Sequence, residues 1–91
     1  MAPATPAQAS ATSVSGSLSC PYGQVVWVSV TTEYNASATF YYGTTAKYTD
    51  SGGYDHVYNY GLRSVNWRVD STGNIRTVSD WCTGNVNSPS E

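Results

Sequence analysis

A chain of 91 residues with four Lys or Arg against six Asp or Glu, a net charge of −2 and 40% hydrophobic composition makes one small domain. Its charge balance offers no electrostatic footprint for nucleic acid or an anionic membrane, and no apolar run in it reaches the length that crosses a bilayer. Two cysteines without CxxC spacing are too few for a four-ligand zinc site and form no redox motif, so Cys20 and Cys82 read as a structural disulfide, with two unpaired buried thiols as the alternative.

Residues 1–12 hold Ala, Pro, Thr, Ser and Gln with no charge and no large apolar side chain after Met1. Such a segment cannot offset its ordering entropy by burial, so it is expected to be a flexible N-terminal arm. Its Ala-Pro-Ala-Thr-Pro-Ala start reads as the mature end left by a signal peptidase, which agrees with the cysteine pair in predicting a secreted, extracellular protein. From Ser13 the pattern changes, because Ser13, Ser15, Ser17 and Ser19 alternate with Val14, Gly16, Leu18 and Cys20, and period two is the strand signature. Two readings follow: a short first strand that delivers Cys20 to the core, or an extended arm that offers Val14, Gly16 and Leu18 to the strand edge of a partner.

After the turn at Pro21-Tyr22-Gly23, Gln24–Thr31 sets Val26, Val28 and Val30 against Val25, Trp27 and Ser29, a β-branched alternation that predicts a central strand. Glu33-Tyr34-Asn35 reads as a turn, and Ala36–Tyr42 as a strand that hairpins through Gly43-Thr44 into Thr45–Thr49. Asp50-Ser51-Gly52-Gly53 breaks the chain again before a tyrosine-rich strand over Tyr54–Tyr60. Arg63–Val69 follows with Val65, Trp67 and Val69 on one side. Beyond the turn at residues 70–74, Ile75–Cys82 places Ile75, Thr77, Ser79 and Trp81 opposite Arg76, Val78, Asp80 and Cys82. Six or seven short strands without a helical period predict an all-β fold. A small antiparallel β-sandwich is the preferred architecture and a small barrel the alternative, with the β-domain over residues 13–82 and a loose tail over 83–91.

A core of this size is thin. All three tryptophans, all eight tyrosines and every charged residue except Glu91 lie between the two cysteines, and closing a loop of that length stabilises by about 4 kcal/mol in the chain-entropy model.

His56 is the lone histidine, so a histidine-dependent catalytic site must run through it, yet no nucleophile motif places a serine beside it. Asp50 and Asp55 flank Gly52-Gly53 and suggest a calcium loop, but turn chemistry accounts for the same residues. The expectation is a non-enzymatic protein with no metal and no cofactor. The remaining signal is aromatic: Tyr54, His56, Tyr58 and Tyr60 share one side of a strand and, with Tyr41, form the candidate binding surface, because tyrosine combines apolar area with a polar tip suited to proteins and sugars. The competing reading makes Tyr58 and Tyr60 core bulk, and Trp27 and Trp67 are read as core.

Tyr58-Asn59-Tyr60-Gly61, Ser64-Val65-Asn66-Trp67-Arg68-Val69, Gly73-Asn74-Ile75 and Trp81-Cys82 together resemble the layout of small exported actinobacterial β-proteins with one Cys near each end of the domain. The resemblance covers about residues 18–82 and implies secretion, a disulfide and a β-fold. One context it implies is the small adaptor subunit of secreted antibacterial toxin particles. The expected function is a secreted, non-catalytic protein-interaction module with an extracellular protein partner. The alternatives are a carbohydrate-binding domain with a glycan on surface tyrosines, and an enzyme inhibitor inserting the Asp50–Gly53 loop.

Overall fold

Over residues 11–84, the part of the chain that the computed structural model describes, the period-two segments become seven strands. They are β1 (Ser13–Ser19), β2 (Gln24–Thr32), β3 (Ala38–Tyr42), β4 (Thr45–Asp50), β5 (Asp55–Asn59), β6 (Ser64–Ser71) and β7 (Ile75–Gly84). The arm reading of residues 1–10 and the tail reading of residues 85–91 lie outside the described residues, whereas Thr83 and Gly84, read as tail, belong to β7 and pair with Val25 and Gln24 of β2. Among the described residues, Thr12 and Ala11 already belong to the fold, because their carbonyls accept from the Ser71 and Ile75 amides at 2.8 and 2.7 Å.

The strands form two antiparallel sheets, one ordered β1-β6-β3-β4 and the other β5-β2-β7, which settles the architecture as a sandwich. Alternation decides what goes inside. One sheet contributes Ala38, Phe40, Val65, Trp67 and Val69, and the other Val26, Val28, Val30 and Ile75. Cys20 and Cys82 bond across the sheets with Cα atoms 5.6 Å apart.

β1 is an integral edge strand, in register with β6 from Ser13 opposite Asp70 to Ser19 opposite Ser64. Val14 and Leu18 pack against the core while staying part-exposed, so the free-arm reading of Val14, Gly16 and Leu18 is corrected to an edge strand of this chain's own sandwich. Gly16 lies opposite Trp67, and a Cβ there would stand 2.7 Å from the indole Cζ2, so glycine is what lets the indole lie flat over β1.

Two bulges reset the alternation. In β7 the register passes from Thr31 opposite Thr77 to Thr32 opposite Ile75, leaving Arg76 as the extra residue. Ile75 therefore shares the inner side with Val78, Asp80 and Cys82 instead of the outer side with Trp81. In β4 the step from Phe40 opposite Tyr48 to Tyr41 opposite Ala46 leaves Lys47 unpaired. Tyr48 is thereby aligned with Phe40, whose ring centroid lies 6.3 Å away.

Trp27 is not core: it projects from the outer side of β2 and stacks on Trp81 of β7 at 6.1 Å, with ring planes 19° apart. Trp67 is core as expected, and its indole Nε1 donates to Asp80 Oδ2 at 3.0 Å across the sheets.

Gly16→Val is expected to destabilise the protein by about 1–3 kcal/mol through overpacking against Trp67, read as a lowered Tm. Ser17→Ala, on the exposed side of the same strand, is expected to cost well below that range. A second expectation concerns Tyr60, whose hydroxyl donates to the Tyr41 carbonyl at 2.8 Å. Burial, then the neighbouring Tyr58, push its phenol above the ordinary value of 10.0. The neutral phenol is favoured only in the folded state, so this stabilisation is complete below pH 10 and declines as pH rises beyond it. Chemical denaturation of the wild type and Tyr60→Phe across alkaline pH checks it: the variant loses about 1 kcal/mol at neutral pH and shows a shallower alkaline decline.

Candidate functional site

Three loops meet at one end of the sandwich, and their sequences explain how they are held. The β2–β3 loop turns at Asn35, which takes φ 69°, and the β4–β5 loop turns at Gly52 and Gly53, with φ 87° and 69°. Asn and Gly tolerate that left-handed region where other residues strain. The loops are stitched by main-chain bonds: Asn35 N donates to Gly53 O at 2.7 Å, Thr32 N to Tyr54 O at 2.9 Å, and Glu33 N to Asn74 O at 3.0 Å.

This rigid base presents two tyrosines. Tyr34 is 73% and Tyr54 59% exposed, their ring centroids 6.4 Å apart with planes tilted by 50°. Together with Thr31, Thr32 and Arg76 they line a cleft of about 430 Å³. Tyr54 lies just before β5 rather than in a tyrosine strand, and its carbonyl accepts from the Thr32 amide of β2. Tyr34 and Arg76 were legible only as a turn residue and a strand residue. The signal for Tyr34 was a large aromatic inside a turn, where side chains point to solvent.

The other sequence-predicted residues do not share this surface. Tyr41 is half-buried on the outer side of the first sheet, beneath the Arg68 guanidinium, whose Cζ lies 4.0 Å from its ring centroid. Tyr58 and Tyr60 turn inward, with Tyr58 set 4.8 Å from Tyr60, 5.2 Å from Tyr48 and 5.6 Å from Phe40. The core reading holds for this pair, and the single tyrosine-rich binding side is corrected. The neighbours of these rings are the opposing sheet, not solvent.

His56 is 0% exposed and lies at the centre of a polar relay. Its Nδ1 donates to Asp50 Oδ2 at 2.8 Å, since a carboxylate can only accept. Its Nε2 stands 3.0 Å from Thr32 Oγ1, and Thr32 Oγ1 donates to Glu33 O at 2.9 Å. Asp50 ends β4 and His56 belongs to β5, so the relay ties the two sheets along the side away from β1. Asp, His and a hydroxyl at these distances match the parts of a nucleophilic triad. Thr32 is 2% exposed, however, and its one hydroxyl hydrogen has a carbonyl to serve, which suits holding the sheets together. One carboxylate oxygen of Asp50 is turned to His56, and its side chain stays 32% exposed at the start of the 51–54 loop. Among the described residues no three His, Cys, Asp or Glu side chains gather as a metal site.

Asp50→Ala strands the buried Nδ1–H, and Thr32→Val, nearly equal in volume, strands Nε2. Each is expected to lower stability by about 1–3 kcal/mol. The two changes made together should cost less than their sum, since both act through one imidazole. Equilibrium unfolding of the four proteins measures that coupling.

No protein-family description, curated protein or solved structure matches the chain.

Proposed function

We propose that this protein is an exported, non-catalytic protein-interaction module, an adaptor within an extracellular assembly, and that its recognition surface is the loop end carrying Tyr34 and Tyr54. The observation that carries the reading is the exposure of these two rings on loops fixed by main-chain bonds. Glu33-Tyr34-Asn35-Ala36-Ser37, Ser51-Gly52-Gly53-Tyr54 and Thr72-Gly73-Asn74 have the Tyr, Ser, Gly and Asn composition of antibody loops. There rigid aromatics supply contact area at small entropic cost while short polar residues adapt their hydrogen bonds. Loops on a two-sheet frame are also where binding residues concentrate. The Cys20–Cys82 disulfide supports an oxidising, extracellular setting. Among the described residues no helix is long and apolar enough to cross a membrane.

A carbohydrate ligand is the second reading, favoured by the cleft of about 430 Å³ between the tyrosines, because a tyrosine ring stacks on a sugar ring and the Thr31 hydroxyl and Arg76 guanidinium supply polar contacts.

Immobilised wild type and Tyr34→Ser/Tyr54→Ser are compared as baits against the secreted proteins of the source culture, with a soluble cell-wall glycan series titrated in parallel by intrinsic fluorescence. A secreted protein held by the wild type and reduced at least about tenfold on the double variant is the expected result. Equal capture by both baits, with a glycan response confined to the wild type, replaces the protein partner with a sugar.

A further inference from the structure

The two long sides of the sandwich are finished differently. Along the β4–β5 side, the Asp50–His56 bond and the Tyr48–Tyr58 stack close the gap between the sheets. The edge of β4 is interrupted by the Lys47 bulge, a charge and irregularity that discourage further pairing. Along the opposite side lie β1 and β7, each hydrogen-bonded to a strand on one side only. They run parallel, tied at one end by the Ile75 amide on Ala11 O and at the other by Cys20–Cys82. Between the ties a groove of about 400 Å³ opens over Val14, Ser15, Ile75, Arg76, Thr77 and Val78. Val78 points inward from its register position opposite Val30, yet it is 42% exposed, because no side chain of the described residues fills the space before it.

Arg76 stands at the mouth. As the extra residue of the bulge it leaves the strand alternation, the usual way in which a sheet re-aims one side chain. It lines both this groove and the tyrosine cleft, and among the described residues it forms no ion pair. The remaining groove residues are aliphatic or hydroxyl-bearing. A sugar would find no aromatic plane on the valines, whereas an extended chain would find the unpaired amides and carbonyls of β7 beside an aliphatic slot and a cation.

We propose that the β1–β7 groove receives an extended acidic segment of the partner protein. The segment's main chain adds to the free edge of β7, a Val, Ile or Leu side chain fills the slot at Val14, Ile75 and Val78, and a carboxylate two residues away pairs with Arg76. The spacing follows from the strand repeat, since residues i and i+2 of an added strand share one side. A guanidinium facing a carboxylate supplies a charge-assisted, two-pronged contact. The proposal rests on the protein-interaction reading and extends its surface from the tyrosine cleft through Arg76 into the groove.

The test titrates ¹⁵N-labelled full chain with a pool of acetylated, amidated pentapeptides. These carry Asp or Glu at the second position, Val, Ile or Leu at the fourth, and Ser or Thr elsewhere. The expected result is amide shifts concentrated at Arg76–Ser79 and Val14, weakened about tenfold when the acid is replaced by its amide or when the protein carries the exposed substitution Arg76→Gln. No shift at millimolar peptide overturns the proposal, as do shifts unaffected by Arg76→Gln. Stronger perturbation of Arg76 by an oligogalacturonate than by any peptide assigns the groove to an acidic sugar and overturns it too. A concentration-dependent dimer that masks β7 assigns the edge to a second copy of the chain and overturns it likewise. Loss of partner capture in the tyrosine variant with silent peptides removes the groove proposal and leaves the interaction reading standing. Peptide binding with capture unchanged in the tyrosine variant removes the tyrosine surface instead.

Discussion

Two sheets of four and three strands enclose a small core of valine, alanine and a few aromatics, and a domain of this size buries a small share of its surface. Polar bonds that cross the interface fix one sheet against the other. On one flank Asp50 reaches from the first sheet to His56 of the second, and His56 reaches on to Thr32. Nearer the other flank Trp67 of the first sheet donates to Asp80 of the second, and at one end the cysteines bond covalently. A hydrogen bond between two buried groups demands a narrow distance and angle, so these links specify which residues face each other where valine packing alone would tolerate sliding. Gly16 belongs to the same device, because the indole that bonds Asp80 lies where any larger residue on β1 would stand.

The consequence for function lies in where the polar residues have been spent. Asp50, His56, Asp80, Tyr60 and Trp67 satisfy one another or the main chain inside the sandwich, and Arg68 is held between Asp70 and the Tyr41 ring. Tyr34, Tyr54 and Arg76 stay exposed at the loop end, beside Glu33, Asn35 and Asp55. The first three stand on a base whose main chain is bonded across all three loops, so their positions are set before any ligand arrives. A pre-set surface loses less freedom on binding than a flexible one. Arg76 lines both the tyrosine cleft and the groove along β1 and β7, which makes the two continuous.

The outer sides of the two sheets differ as well. The first carries a row of serines on β1 bonded sideways to β6, through Ser13 to Asp70, Ser17 to Asn66 and Ser19 to Ser64. Such cross-strand bonds keep β1 in register without apolar cover. The second carries the Trp27–Trp81 stack, where two large rings cover each other at the cost of a Trp27 Nε1 that is buried without a partner.

The strands from β2 onward and the inner rows of β3 and β6 were readable in the sequence alone, because alternation over five or more residues is a local property of the chain and β-branched residues reinforce it. The reading of Tyr60 and Trp67 as bulk was also local, since large rings in strands of a small domain have few other places to go. The tertiary structure alone decided what depended on the partner strand. Whether Trp27 or Val26 faces in depends on which sheet lies opposite, and the bulges at Arg76 and Lys47 are events of register between strands, with no signature in either strand alone. They moved Ile75 to the inner side and Arg76 to the mouth of the groove. The serine-spaced segment around Gly16 was equally open, because small alternating residues suit a free arm and an edge strand alike, and only Trp67 lying across it chose between them. His56 follows the same rule: its role was set by Asp50 and Thr32, residues six and twenty-four positions away that only the folding of two sheets together brings to its ring.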